Sequence, residues 1–390
     1  MSIQRVIEQA QEHMASHDID GWLLYDYRGM NPIFWDTVGP ITHVTRPCWL
    51  WIPAVSEARL LVSYVDQGRF TSLGISTTLF VSRQDMIAKL GGLLEGSKRI
   101  AMEYSPQGQL PRVSKIDAGT LELVRTFGVE ITTSANVIQY ATQRWDDEQL
   151  QSHVVAAKKL SRIVLDAFRH IGDTLESGST EYSVAEFIRR RIAEEGMQPA
   201  DGPTVAVNEH ASDPHFDPTV ESSTTIKAGD WVLIDLWGRE PGEDSMFADI
   251  TWTAYVGETV PDNHQKVFDA VLSGRDAAVS EIEQAFTDGR VLEGWEVDKV
   301  ARDYISKAGY GDYFNHRLGH SLGREVHSNA VNLDGWETHD TRQLVPGIAV
   351  TIEPGIYLPE FGVRSEIDIY ISENGPQVTT QMQRKVVLIR

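Results

Sequence analysis

The chain has almost no cysteine, no long apolar run and a shortage of positive charge, and each deficit removes a class of protein. A single cysteine, Cys48, cannot form an intrachain disulfide, which fits a reducing compartment. It sits in the apolar run RPCWLWIPA, where a packed thiol is expected rather than a nucleophile. No stretch approaches the roughly 20 apolar residues that span a bilayer. The N-terminal segment sets Ile3, Val6, Ile7, Ala10 and Met14 at helical spacing and lacks the uninterrupted apolar core of a signal peptide. A cytoplasmic location is therefore the expectation. With 56 acidic residues against 35 basic ones, the formal net charge is −21. That is the wrong sign for sequence-independent binding to phosphates or anionic lipid, so neither nucleic acid nor membrane is expected as a partner. Repeats of solenoid period and low-complexity tracts are also missing.

What is present is enough for an enzyme. A length of 390 residues with 41% hydrophobic content suits two or three packed domains. After the first helix, Trp22 to Tyr25 reads as a buried strand that breaks into an aromatic loop with Gly29 and Pro32. CWLWIPA, ARLLVSYV, LGISTTLFVS and RIAMEY read as strands, DMIAKLGGLLEG and SKIDAGTLELVRTFG as helices, and VEITTSANVIQ as a last strand. Alternation of this kind predicts an α/β domain with a mixed sheet over residues 1–144. The next domain, residues 145–390, opens with a signal: Asp146 can cap a helix and Gln149 can return the bond to the cap. From Leu150 to Ile171 apolar residues recur at steps of three and four, predicting a long amphipathic helix. Further helices are expected over 184–195, 264–286 and 295–307, with strands between and after them. The second half is thus α+β, its helices packed on one face of a curved antiparallel sheet.

The chemistry centres on WVLIDLWGREPGEDSMFADI, residues 231–250, read as two strands joined by a Gly/Pro-rich turn. Asp235 ends the apolar run Val232, Leu233, Ile234, and Asp249 opens the second strand. A carboxylate buried in such a run costs several kcal/mol unless a cation compensates it. Downstream, His320 lies in HRLGHSLGREVH, Glu353 in VTIEPGIY and Glu366 in VRSEIDIYI. Two Asp, one His and two Glu form a hard, oxygen-rich donor set whose four negative charges suit two divalent cations.

In order, spacing and local sequence this set resembles the metallopeptidase family M24 of methionine aminopeptidase, aminopeptidase P and prolidase, with its pita-bread fold. The resemblance covers roughly the last 240 residues, making residues 145–390 the pita-bread domain, and implies a creatinase-like domain over residues 1–144. It implies that Asp235 chelates one metal, that Asp249 and Glu366 bridge two, and that His320 and Glu353 complete the second. Glu353 also becomes the proton shuttle. His327, seven residues beyond His320, resembles the histidine that contacts the substrate carbonyl. His215, in DPHFDP, resembles the one facing the proline side and the leaving nitrogen. Tyr357 and Arg364 match as well, the arginine steadying the carboxylates. Trp252 stands where many relatives carry Arg and Ser328 where many carry Glu, both read as substrate-side differences. The insert EPGEDSMF is longer than in several relatives and is expected to shape the pocket rim.

The expected activity is that of a dimetal Xaa-Pro dipeptidase, in a homodimer loaded with manganese, with cobalt or zinc as alternatives. An Xaa-Pro aminopeptidase on longer peptides, or a related creatinase-fold carbon–nitrogen hydrolase, is the alternative. A dipeptidase must also pair the free carboxylate of its substrate, which a bidentate arginine does best. Arg46 and Arg324 are the candidates. A metal-free amidinohydrolase or an inactive binding relative would have lost donors, whereas all five are here.

Overall fold

The computed structural model describes residues 2–39, 41, 43–198 and 201–390, and the chain divides into two compact units, Met1–Arg144 and Trp145–Arg390.

The first unit is a six-stranded sheet covered on both faces. Its strands are β1 (Gly21–Asp26), β2 (Cys48–Pro53), β3 (Arg59–Ser63), β4 (Ser76–Phe80), β5 (Arg99–Met102) and β6 (Glu130–Thr133), in the order β4-β3-β2-β1-β5-β6. β1 pairs antiparallel with β2 and parallel with β5, so the sheet is mixed. The unbroken apolar run of β1 has a purpose visible in its alternation. Trp22 and Leu24 join one core with Val6, Ala10 and Phe34, while Leu23 enters the other with Leu90 and Val124. The first core is covered by α1 (Ile3–Ala15), α2 (Pro32–Val38) and α5 (Ala135–Thr142), the second by α3 (Arg83–Leu93) and α4 (Ala118–Arg125). Each fully buried Leu, Ile or Phe in such a core is worth about 1.5–3 kcal/mol. Cys48 is one of these packed side chains, its thiol facing the Asp26 carbonyl at 3.7 Å.

Two segments differ from their sequence reading. The aromatic loop around Pro32 is the helix α2, because Asn31 caps it and proline at its first turn needs no N–H partner. VEITTSANVIQ is not one strand: it stops at Thr133, and Ala135 starts α5, whose Val137, Ile138 and Ala141 form a helical stripe against the core.

The second unit opens with α6 (Asp147–Thr174), whose capping box is formed by Asp146 and Gln149 at 2.9 Å in both directions. α7 (Glu181–Glu194) begins three residues earlier than the periodicity indicates, because Thr180 caps it and Glu181 is buried. Next come β7 (Thr204–Val207), β8 (Trp231–Gly238), β9 (Ala248–Val256), α8 (Asp262–Thr287), α9 (Gly294–Lys307), β10 (Ser321–Leu322) and β11 (Ala349–Ile352). The hairpin β12 (Gly355–Tyr357) and β13 (Gly362–Arg364) leads to β14 (Ile367–Ser372), β15 (Gly375–Val378) and β16 (Val387–Ile389). One four-stranded sheet runs β16-β9-β8-β7 and another β10-β11-β14-β15. Their pairings are antiparallel apart from β16, which lies parallel to β9. α6 and α7 back the first sheet, and α8 packs along the second with α9 behind it. No helix among the described residues is long and apolar enough to cross a membrane.

Candidate metal centre

Strand parity sorts the chemistry from the core. Val232, Ile234 and Leu236 of β8, with Ile250, Trp252 and Ala254 of β9, pack under α6 and α7. Asp235, Asp249 and Thr251 occupy the alternate positions and so share the opposite face. Asp235 lies directly across from Thr251, and Asp249 across from Trp237, so the two aspartates are diagonal neighbours. Asp235 is therefore a mid-strand residue rather than a strand end. Trp252, read from sequence as touching the substrate side, is instead buried in the helix-covered core, one residue out of phase with the aspartates.

The second sheet brings the remaining donors to that face. The Glu366 N–H donates to the Thr251 carbonyl at 3.2 Å, stitching the start of β14 to β9. His320 directly precedes β10, and Glu353 directly follows β11. The Thr351 N–H donates to the His320 carbonyl and the Glu353 N–H to the Leu318 carbonyl, both at 2.8 Å. Gly319 permits this approach: a Cβ there would stand 2.0 Å from the Thr351 carbonyl oxygen.

Donor atoms of Asp249, His320 and Glu366 all lie within 4.8 Å of one another, and all three residues are buried. His320 Nε2 is 3.8 Å from Asp249 Oδ2 and 3.4 Å from Glu353 Oε1. Arg364 joins the rest: it pairs with Asp235 Oδ2 at 2.5 Å, lies 3.9 Å from Glu353 Oε2, and donates to Thr251 Oγ1 at 3.1 Å and Tyr357 Oη at 3.0 Å. Although Arg364 stands two residues from Glu366 in sequence, its guanidinium goes to Asp235. Thr251 Oγ1 donates in turn to Glu366 Oε2 at 2.7 Å.

Four carboxylates face one guanidinium, and the acidities record the imbalance. Burial, then the charges of Asp235, Asp368 and Glu353, hold the Asp249 carboxyl well above the usual range. Burial and Asp249 do the same to Glu366. Glu353 is pushed up to about 7, chiefly by burial. Asp235 Oδ1 and Asp249 Oδ1 are buried without any hydrogen-bond partner. Nδ1 of His320 faces the Ser321 carbonyl at 3.3 Å, and its Nε2 is turned toward the Glu353 and Asp249 carboxylates. Orphaned acceptors aimed at one another are the signature of cation ligands, and these residues fit divalent ions.

Around the donors stand residues that the sequence reading did not single out. His316 Nδ1 donates to the Arg317 carbonyl at 2.7 Å, so its Nε2 accepts from Tyr357 Oη, also at 2.7 Å. Burial and Arg364 push His316 down to about 3, and burial pushes Tyr357 up to about 12. Both are thus neutral, and a directed chain runs from Asp235 through Arg364 and Tyr357 to His316. Asp368 accepts the Asp249 N–H at 3.0 Å with His153 behind it at 3.8 Å. HRLGH repeats histidine at a four-residue step, which was the available hint for His316. Thr251 and Asp368 carry no local signal.

The other candidates sit farther out. The His327 ring meets the His320 ring edge-to-face at 4.3 Å. His215 is exposed in a turn, its N–H donating to Asp213 Oδ1 at 3.0 Å. Arg324 lies 3.6 Å from Asp244, in the insert between β8 and β9. Arg46 belongs to the first unit, where its N–H donates to Asp66 Oδ2 at 2.9 Å and its guanidinium to Thr45 Oγ1 at 2.8 Å.

Helix-backed ladders that converge carboxylates and an imidazole on one buried point define the pita-bread class, with a residue group able to bind metal. Residues 156–373 match the model of metallopeptidase family M24, and the chain belongs to that family. It is 35% identical over 234 residues to the uncharacterized peptidase YqhT of Bacillus subtilis, a span of 60% of this chain and 62% of that one. It is 31% identical over 272 residues to an Xaa-Pro dipeptidase of Pyrococcus horikoshii, covering 66% and 71% of the two chains. In fold it is similar to the dipeptidase PepE of Mycobacterium ulcerans, with a TM-score of 0.76 at 23% identity over 99% of this chain and 98% of that one.

Proposed function

We propose that the protein is a dimetal Xaa-Pro dipeptidase that cleaves the amide bond before a C-terminal proline. The observation that carries this reading is the set of buried, unpartnered carboxylate oxygens on Asp235 and Asp249 beside His320, Glu353 and Glu366. The 31% identity to a Pyrococcus Xaa-Pro dipeptidase supports the choice of substrate. These five residues would hold two divalent ions, manganese in our reading, whose chemistry there would be Lewis acidity toward the amide carbonyl and acidification of water at neutral pH. Glu353 takes the proton of the attacking water and delivers it to the leaving nitrogen, so that one C–O bond forms as the C–N bond breaks. His327 donates to the carbonyl oxygen, and His215 faces the proline side. Arg364 and Tyr357 hold Asp235 in place. Arg324, or Arg46 reaching over the cleft of a neighbouring subunit, is the proposed anchor of the substrate carboxylate, the enzyme being a cytoplasmic homodimer.

One observation favours the alternative of an Xaa-Pro aminopeptidase on longer peptides: Arg324 already faces a carboxylate, that of Asp244. A panel of Leu-Pro, Leu-Pro-Gly and Leu-Ala with added manganese separates the two. A dipeptidase turns over Leu-Pro fastest, and Arg324→Ala costs it more on Leu-Pro than on Leu-Pro-Gly. Faster cleavage of Leu-Pro-Gly selects the aminopeptidase, and equal rates on Leu-Ala and Leu-Pro refute proline specificity.

A further inference from the structure

His215 is displayed on a segment held by an apparatus distant from the carboxylates. Glu181, the first residue of α7, is fully buried, and its carboxylate turns back to gather the far end of that segment. Oε1 accepts the Val207 N–H at 2.7 Å, Oε2 accepts the Thr224 N–H at 2.8 Å, and His210 Nδ1 stands 2.9 and 3.0 Å from the two oxygens. The face of the His210 ring stacks on Phe216 at 4.3 Å and 24°. Phe216 is the residue next to His215. The turn between the two rings is closed by the Phe216 N–H donating to the Asp213 carbonyl at 3.1 Å.

Two further anchors tie the same segment to the donor-bearing strands. Asn208, at φ 49°, donates to Asp230 Oδ1 at 2.8 Å and accepts the Trp231 N–H at 2.9 Å, which fastens it to the start of β8. Ser212 Oγ donates to the Leu358 carbonyl in the β12–β13 hairpin. Gly362 of that hairpin lets the Ala211 carbonyl in so closely that a Cβ would stand 1.7 Å from it. The hairpin carries Arg364, which pairs with Asp235, and Tyr357, whose hydroxyl accepts from that arginine. Residues 207–212 are therefore fixed on three sides. The projecting turn is seated through Phe216, which stacks on His210 and packs against Ala206, Ala211 and Leu233.

We infer that Glu181, His210 and Phe216 are positioning residues for His215: the buried carboxylate orients the His210 ring, and the ring, by stacking on Phe216, sets where the His215 imidazole stands against the proline side of a peptide. This rests on the reading in which His215 serves the leaving nitrogen. A misplacement of about 1 Å in such a group is enough to cost a large factor in rate.

The test is a double-mutant cycle on Leu-Pro turnover with an activity-independent readout beside it. His210→Ala and Phe216→Leu are each expected to lower kcat/KM about tenfold, with Phe216→Tyr, which keeps the ring, within about twofold of wild type. On a His215→Ala background both losses should vanish, because nothing remains to be positioned. Bound metal should be unchanged in all variants. In selectively labelled protein, the His215 imidazole resonance should shift and broaden in His210→Ala and Phe216→Leu but not in Phe216→Tyr. Losses that add in full on the His215→Ala background overturn the inference, as does an unmoved His215 resonance. An enzyme that leaves Leu-Pro intact, yet shows the resonance change, sinks the proposed activity while the clamp stands.

Discussion

Glu103 of the first unit and the acid cluster of the second are both buried, and the fold treats them in opposite ways. In the first, Glu103 is fully buried, yet Trp22 Nε1 donates to it at 2.6 Å, Asn31 Nδ2 at 3.0 Å and Ser134 Oγ at 3.4 Å. In the second, Asp235 and Asp249 each keep a buried oxygen with no donor, and their neighbours Glu353 and Glu366 add charge rather than relieve it. Burial alone therefore does not mark a functional acid. A carboxylate that the fold provides with N–H and O–H groups at both oxygens is a structural node, whereas a cluster that keeps buried oxygens no donor reaches is a candidate cation site.

The largest expected effect falls on the second arrangement. Asp249→Asn keeps the volume and removes the charge, so it should strip at least one ion and lower Leu-Pro turnover by about 10³-fold or more, on the order of the loss of a Lewis acid worth several kcal/mol. Metal content per chain and kcat read it. A variant that keeps two ions and its rate would erase the distinction between the two acids.

Glu103 offers the complementary experiment. Burial pushes its carboxyl up to about 7 despite the three donors, against an ordinary value of 4.5. The folded state thus holds this proton more tightly than the unfolded one, so its contribution to stability is fully present below about pH 4.5 and is lost as pH rises through about 7. The loss is on the order of 3 kcal/mol by pH 8. Urea unfolding at pH 5 and pH 8 should show a fall in the parent protein that Glu103→Gln lacks. Identical pH slopes would mean that the donors outweigh burial.

A smaller effect is expected at Thr251, which links the two sheets by donating to Glu366 and accepting from Arg364. Thr251→Val preserves shape and should weaken metal affinity by about 10–100-fold, as is usual for a group that orients a ligand. Calorimetric titration of the metal-free protein measures it, and an unchanged affinity would make Thr251 a bystander.

Much of this molecule is legible before any coordinates. Asp146 with Gln149 announces α6, and the unbroken apolar runs of β1 and β2 announce a sheet buried on two faces. The donors Asp235, Asp249, His320, Glu353 and Glu366 stand out because each interrupts or abuts apolar sequence where a charge is expensive. The failures are equally instructive. α2 escapes because a seven-residue helix has too little length to show a period, and its cap, Asn31 before Pro32, also reads as a turn. The face of Trp252 is hidden because alternation shows which residues share a face, while only the register of β8 on β9 and the packing of α6 show which face is covered. His316 and the Glu181–His210 pair are unremarkable in sequence: their partners lie 41 and 29 residues away, and histidine in a polar stretch carries no label.

By itself, then, the sequence determined the local material of this protein: which segments coil, which extend, and which acids stand where water-free surroundings make charge costly. Those choices are made by side-chain period, capping and desolvation, all of which act over a few residues. The tertiary structure alone decided which oxygens are left without donors, which guanidinium faces which aspartate, and how a ring on one loop seats its neighbour. Such outcomes depend on distances between groups far apart along the chain, and those distances exist only once two sheets have met edge to edge.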